Sequence, residues 1–87
     1  MSIRVEVTYD MSKALGVRSF EVESAKTVGD VVEQTRTRFT DCADEFDKLV
    51  RVAAVAVNGV LVSHRKGMKT SLKDGDRLGF VKAAAGG

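Results

Sequence analysis

The sequence predicts an α+β domain: one mixed sheet with one main helix laid across one face. Three observations lead there. The first quarter holds two segments in which apolar residues alternate with polar ones. A helix-start signal and a stripe at helical spacing follow. The second half returns to short apolar runs cut by turn residues.

Ile3, Val5, Val7 and Tyr9 alternate with Arg4, Glu6 and Thr8, the period of a half-buried strand. Asp10 to Gly16 reads as a polar connection broken by Gly16. Val17 to Glu23 alternates again, so the two strands form an antiparallel hairpin with a long loop. Thr27-Val28-Gly29-Asp30 carries the reciprocal cap of a helix start. Val28, Val31, Val32, Thr35 and Phe39 then recur at helical spacing, and Arg36 and Arg38 suit the carboxyl end of the dipole. The helix should stop near Phe39-Thr40. In Asp41 to Arg51, Phe46 and Leu49 could anchor a short helical turn. Val52 to Val57 is a near-continuous apolar run, expected as a central strand. Asn58-Gly59 signals a type I′ turn, with Val60-Leu61-Val62 as a short return strand. His64 to Ser71 is a polar, basic loop. Leu72 to Leu78 holds an apolar anchor and a glycine turn before a last strand, Arg77 to Lys82. The first and last strands can lie side by side as parallel neighbours. This is the β-grasp arrangement, with residues 1–82 as the domain and 83–87 as a flexible tail. The expected core is Val5, Val7, Phe20, Val28, Val32, Val55, Val57, Leu78 and Phe80.

Composition narrows the function. Eighty-seven residues with 44% apolar content suit a single small core. A net charge of +2 offers no general basic field, and the one basic loop has no interleaved aromatics, so nucleic acid is not an expected partner. No apolar run is long enough to span a membrane. The amino-terminal segment is alternating and charged, unlike a secretory signal. One cysteine makes no internal disulfide, which points to the cytoplasm.

The chain ends Ala83-Ala84-Ala85-Gly86-Gly87. Glycine has no Cβ, so such an end can thread a slot that larger residues would block. A terminal carboxylate is then within reach of an activating enzyme.

The element order and this ending together resemble the ubiquitin-like sulfur carriers, among them the small subunit of molybdopterin synthase and the thiamine sulfur carrier. The resemblance spans the whole chain. It is carried by Thr27 to Val32, Ala56-Val57-Asn58-Gly59, Leu72 to Leu78, and Gly86-Gly87. The molybdopterin-synthase branch has a paired proline before its Gly-Gly, which Val81 to Ala85 lacks. The thiamine branch is shorter, especially in the first hairpin. The resemblance implies a carrier whose Gly87 carboxylate is adenylated by an ATP-dependent, ubiquitin-activating-like enzyme and converted to a thiocarboxylate. That group would donate sulfur to a partner such as the molybdopterin synthase large subunit, in molybdenum cofactor biosynthesis or a related sulfur-transfer pathway. Such a chain is not itself an enzyme and binds no cofactor. ATP is used by the activating partner.

The residues divide accordingly. An ionised carboxylate is a poor electrophile until it is activated. Gly87 would carry the reacting carbon, and Gly86, Ala85 and Ala84 would pass through the slot. If Leu78, Phe80, Val55 and Val57 point into the core, Gly79, Val81, Ala54 and Ala56 point out. Those four form a small apolar patch for the partner, leading into the tail. Cys42 has no patterned companion and reads as an inert thiol. His64 reads as a solvated loop residue, and one histidine with one cysteine makes a poor zinc site. Asp41, Asp44, Glu45 and Asp47 lack the glycine punctuation of a calcium loop. Two other functions share these features: a protein modifier joined to lysines through Gly87, and a non-catalytic β-grasp interaction module with an incidental Gly-Gly.

Overall fold

The computed structural model describes residues 2–82. Five strands form one mixed sheet in the order β2-β1-β5-β3-β4. Strand β1 spans Ser2–Glu6, β2 Ser19–Glu23, β3 Ala53–Val57, β4 Val60–Leu61 and β5 Arg77–Lys82. The hairpin β1–β2 is antiparallel, and β1 and β5 pair in parallel through Arg4↔Arg77, Val5↔Leu78 and Glu6↔Gly79. The central strand is therefore β5. The apolar run becomes β3, which is flanked by β5 and β4 and is not the centre of the sheet. Val52, at its start, caps the preceding helix and is 64% exposed.

Among the described residues three helices accompany the sheet, the expected main helix being the longest of them. Helix α1 is Tyr9–Leu15, α2 is Val28–Arg38 and α3 is Ala43–Arg51. The expected polar connection after β1 is thus α1, and Tyr9 opens it, 71% exposed, rather than extending the strand. The cause is local. Thr8 Oγ1 accepts from the Met11 amide at 3.1 Å, and Gly16 closes the helix at φ 79°, bonding back to Ser12. Met11 and Leu15, four residues apart, bury the one apolar side of α1.

At the start of α2 the reciprocal cap forms as the sequence indicates. Thr27 Oγ1 accepts from the Asp30 amide at 3.2 Å, and Asp30 Oδ2 accepts from the Thr27 amide at 3.1 Å. Val28, Val31 and Thr35 are its buried face. Helix α3 replaces the short turn expected between Asp41 and Arg51, after a 3₁₀ turn at Thr40–Cys42. Its Phe46 is fully buried and meets Phe80 of β5 edge to face, centroids 5.9 Å apart. Arg36 Nε lies 2.8 Å from Asp47 Oδ1, linking α2 to α3. That carboxylate, with Glu33 second, holds the Arg36 guanidinium above its already high range.

The core joins all of these layers: Ile3, Val5 and Val22 from the first hairpin, Met11, Val28, Val31 and Phe46 from the helices, and Val55, Val57, Leu78 and Phe80 from the second half. Val7, Phe20 and Val32, expected inside, are only half-buried at its margin. Phe20 belongs to an edge strand, where Phe39 meets it edge-on at 5.4 Å and the Arg38 guanidinium lies 5.2 Å from its ring.

Candidate functional site: the open face of the sheet

Alternation along β5 and β3 divides their residues between two environments. Leu78 and Phe80, with Val55 and Val57, face the helices and are buried. Gly79, Val81, Ala54 and Ala56 face away from them. The register makes these four neighbours: Ala54 lies directly across from Val81, and Ala56 across from Gly79. Val81 is 43% exposed, and the other three are half-buried. The structure thus brings together the four residues named from strand phase alone.

It also adds residues that were not named. Leu61 of β4 is opposite Ala56 and is exposed, extending the apolar side toward the sheet edge. The signal was readable: a two-residue Asn-Gly turn fixes the pairing Val57↔Val60 and Ala56↔Leu61. On the other side the patch meets charge. Arg77 Nη2 donates to Glu6 Oε1 at 3.3 Å, Arg4 Nε lies 4.0 Å from Glu6 Oε2, and Arg4 Nη2 donates to Ser19 Oγ at 3.3 Å. The open face is therefore apolar over β5, β3 and β4 and charged over β1 and the start of β5. Glu6, Ala56, Asn58, Gly59, Arg77 and Gly79 surround a hollow of about 450 Å³ where the two parts join.

Two sequence motifs hold this geometry by bonding to each other. Asn58 and Gly59 take positive φ of 50° and 83°, the conformation a type I′ turn requires. The Asn58 amide donates to the Arg77 carbonyl at 2.8 Å, Asn58 Oδ1 accepts from the Arg77 amide at 3.0 Å, and Asn58 Nδ2 donates to Asp76 Oδ1 at 2.9 Å. Asp76 Oδ2 accepts from the Lys73 amide at 2.7 Å, and the Gly75 amide donates to the Ser2 carbonyl at 2.9 Å. The turn before β5 thereby fixes the start of β1 and the β3–β4 hairpin at once, which sets β5 in register on both sides.

The remaining candidates lie apart from this face. Cys42 is half-buried at the end of the 3₁₀ turn, against the core. His64 is exposed on a 3₁₀ turn at Val62–His64, in the basic loop. Asp44 and Glu45 occupy the first turn of α3, and Asp47 is engaged by Arg36. Among the described residues no group of three or more His, Cys, Asp or Glu is placed to hold a metal ion. No helix among them is long and apolar enough to cross a membrane. The proposed threading residues Ala84, Ala85 and Gly86, the reacting Gly87, and the boundary of the tail at residue 83 lie outside the described residues.

Comparison with known proteins gives the fold a family. The profile of the ThiS family matches residues 9–87. Among solved structures, the chain is similar to the crystal structure of the Amycolatopsis orientalis BexX/CysO complex, at 27% identity and TM-score 0.81, covering 98% of this chain and 99% of that one. It is similar to the putative molybdopterin converting factor, subunit 1, of Pyrococcus furiosus, at 24% identity and TM-score 0.74, covering 97% and 99%. It is also similar in fold to the small archaeal modifier protein 1 of Methanosarcina acetivorans, at 19% identity and TM-score 0.82, covering 99% and 96%. A search of curated proteins found no match.

Proposed function

Since the chain belongs to the ThiS family, a match that covers residues 9–87, we propose that it is a non-catalytic sulfur carrier whose Gly87 carboxylate is adenylated and converted to a thiocarboxylate. The single observation that carries this reading is that the outward residues Gly79 and Val81 of β5 are followed in sequence, after Lys82, by Ala83 to Gly87. A partner that grips the face is then separated from the end to be activated by only the few residues that follow Val81 in sequence.

The chemistry divides between the two proteins. The carrier's carboxylate is ionised at neutral pH and resists attack. The activating enzyme would use ATP to form the acyl adenylate, releasing pyrophosphate. A sulfide-level sulfur nucleophile then attacks that carbon, forming the C–S bond as the bond to AMP breaks and AMP leaves. The carrier contributes no general base or metal to these steps. It contributes the docking residues Val81, Gly79, Ala54 and Ala56, and a slim end, Ala84 to Gly87, that fits a narrow passage.

The acceptor would be an enzyme of molybdopterin synthesis or a related sulfur-transfer route. The solved relatives support a carrier that works on a partner protein, since one was crystallised with BexX. The archaeal modifier's fold also keeps a second reading in play, conjugation of Gly87 to lysines of target proteins.

Intact mass after co-expression with the native activating enzyme tests the proposal. The expected product has one terminal oxygen replaced by sulfur, and Gly86→Val remains unmodified while folding normally, because a β-branched residue does not pass where glycine does. Wild-type chain found only as lysine conjugates, with no sulfur exchange, would replace this reading with the modifier.

A further inference from the structure

Gly79 occupies the middle of the central strand, where glycine is a poor choice. It gives its cross-strand neighbours no side chain to pack on and loses the most conformational freedom on folding. Nothing in the fold requires it. Its φ is not in the left-handed region, and a Cβ added there meets no heavy atom within 4 Å. A Cβ has room there, and a β-branched residue would suit the strand better. The absent side chain instead leaves the floor of the 450 Å³ hollow between Glu6 on β1 and Ala56 on β3.

We propose that Gly79 determines partner specificity: the space left by its missing side chain receives one apolar side chain of the activating enzyme. This inference rests on the carrier reading above. The chemistry of the walls selects the occupant. Ala56 and the bare backbone of Gly59 form the apolar side, next to the patch of Ala54, Val81 and Leu61, and the Asn58 side chain on the rim is already bonded to Arg77 and Asp76. On the other side Glu6 and Arg77 are paired with each other at 3.3 Å, so neither offers an unbalanced charge to an incoming ion. A neutral, apolar group loses least by entering.

The length of chain beyond the hollow keeps the activating enzyme within reach of it. Residues 80–87 follow Gly79, and eight residues span at most about 29 Å when extended. An enzyme holding Gly87 in its active site therefore has its surface within that distance of Gly79. No other partner is required to be there at the moment of activation.

The test measures ATP–pyrophosphate exchange by the native activating enzyme with the wild-type chain, Gly79→Val, Gly79→Ala and, as a control, Glu21→Gln on β2. Filling the hollow with valine should raise KM for the carrier at least about tenfold with kcat retained, the scale of a methyl-sized misfit in an apolar pocket. Alanine should give a smaller rise, and Glu21→Gln none. Gly79→Val should melt no lower than wild type. A folded Gly79→Val, or Gly79→Ala should valine not fold, with wild-type KM overturns the inference and leaves the carrier reading standing. Wild-type chain that gives no exchange overturns both. Sedimentation completes the set: a wild-type dimer that Gly79→Val dissociates would assign the hollow to a second copy and also overturn the inference.

Discussion

Leu78 and Phe80 share strand β5 with Gly79 and Val81, yet the two faces of that strand obey different demands. The inner face carries large residues that interlock with the helices, and Phe80 is 4% exposed against Phe46. The outer face carries Arg77, Gly79 and the exposed Val81, with Ala56 and Ala54 of β3 across from the last two. Stability accounts for the first set. It does not account for the second, because a larger residue at Gly79 would fit the fold. Residues that the fold leaves unexplained, in a sheet centre where substitution would strengthen it, are where a partner's requirements become visible.

The largest expected effect breaks this comparison most clearly. Phe80→Ala should cost on the order of 3–5 kcal/mol in urea unfolding, through lost burial and the cavity left beside Phe46. A loss below about 1 kcal/mol would mean that β5 is not the strand that joins both halves of the core. Thr27→Ala should cost about 1 kcal/mol, since it removes the hydroxyl that accepts from the Asp30 amide. It sharpens the contrast, because it weakens the helix layer while leaving the open face unchanged. Carrier activity per folded molecule should therefore stay at the wild-type level. The smallest effect on folding belongs to Val81→Ser, within about 0.5 kcal/mol as for exposed positions in general, measured in the same urea series. The same variant should bind the activating enzyme more weakly. A large stability loss at Val81 would assign it to the core and remove it from the docking face.

Much of this fold is legible where a periodic pattern and a local signal agree. Alternation in Ile3-Arg4-Val5-Glu6, the reciprocal cap at Thr27 and Asp30, and the Asn58-Gly59 turn each specify one local conformation, and each formed. Two helices were less legible. Helix α1 has seven residues and only Met11 and Leu15 on its buried side, too short a stripe to stand out from a loop. Its ends did carry signals, Thr8 before it and Gly16 after it. Helix α3 follows α2 after one 3₁₀ turn, and its acidic first turn masks the spacing of Phe46, Leu49 and Val50. With α1 read as a polar connection and α3 as a single turn anchored by Phe46 and Leu49, Met11 and Phe46 stand outside the expected core.

The four outward residues of the site were legible because strand phase is strict: once Leu78 and Phe80 point in, Gly79 and Val81 cannot. The border of the patch was not, because Arg77 joins Arg4 and Glu6 only through the parallel pairing of β1 with β5, 71 residues separating Glu6 from Arg77. Pairing over that separation is set by the turn at Lys73 to Asp76, whose bonds to Ser2 and Asn58 become visible only in three dimensions. The acidic residues Asp41 to Asp47 likewise divide between a 3₁₀ turn, a helix start and an interhelical ion pair, an arrangement that composition alone does not express.

The claim that the open face serves the partner is tested most directly by titrating ¹⁵N-labelled chain with its activating enzyme and mapping the amide signals that shift or broaden. The expected changes fall at Ala54, Ala56, Gly79 and Val81 and through residues 83–87, with α2 unaffected. Changes centred on α2 or on the basic segment His64 to Lys69, with those four amides unmoved, would contradict it.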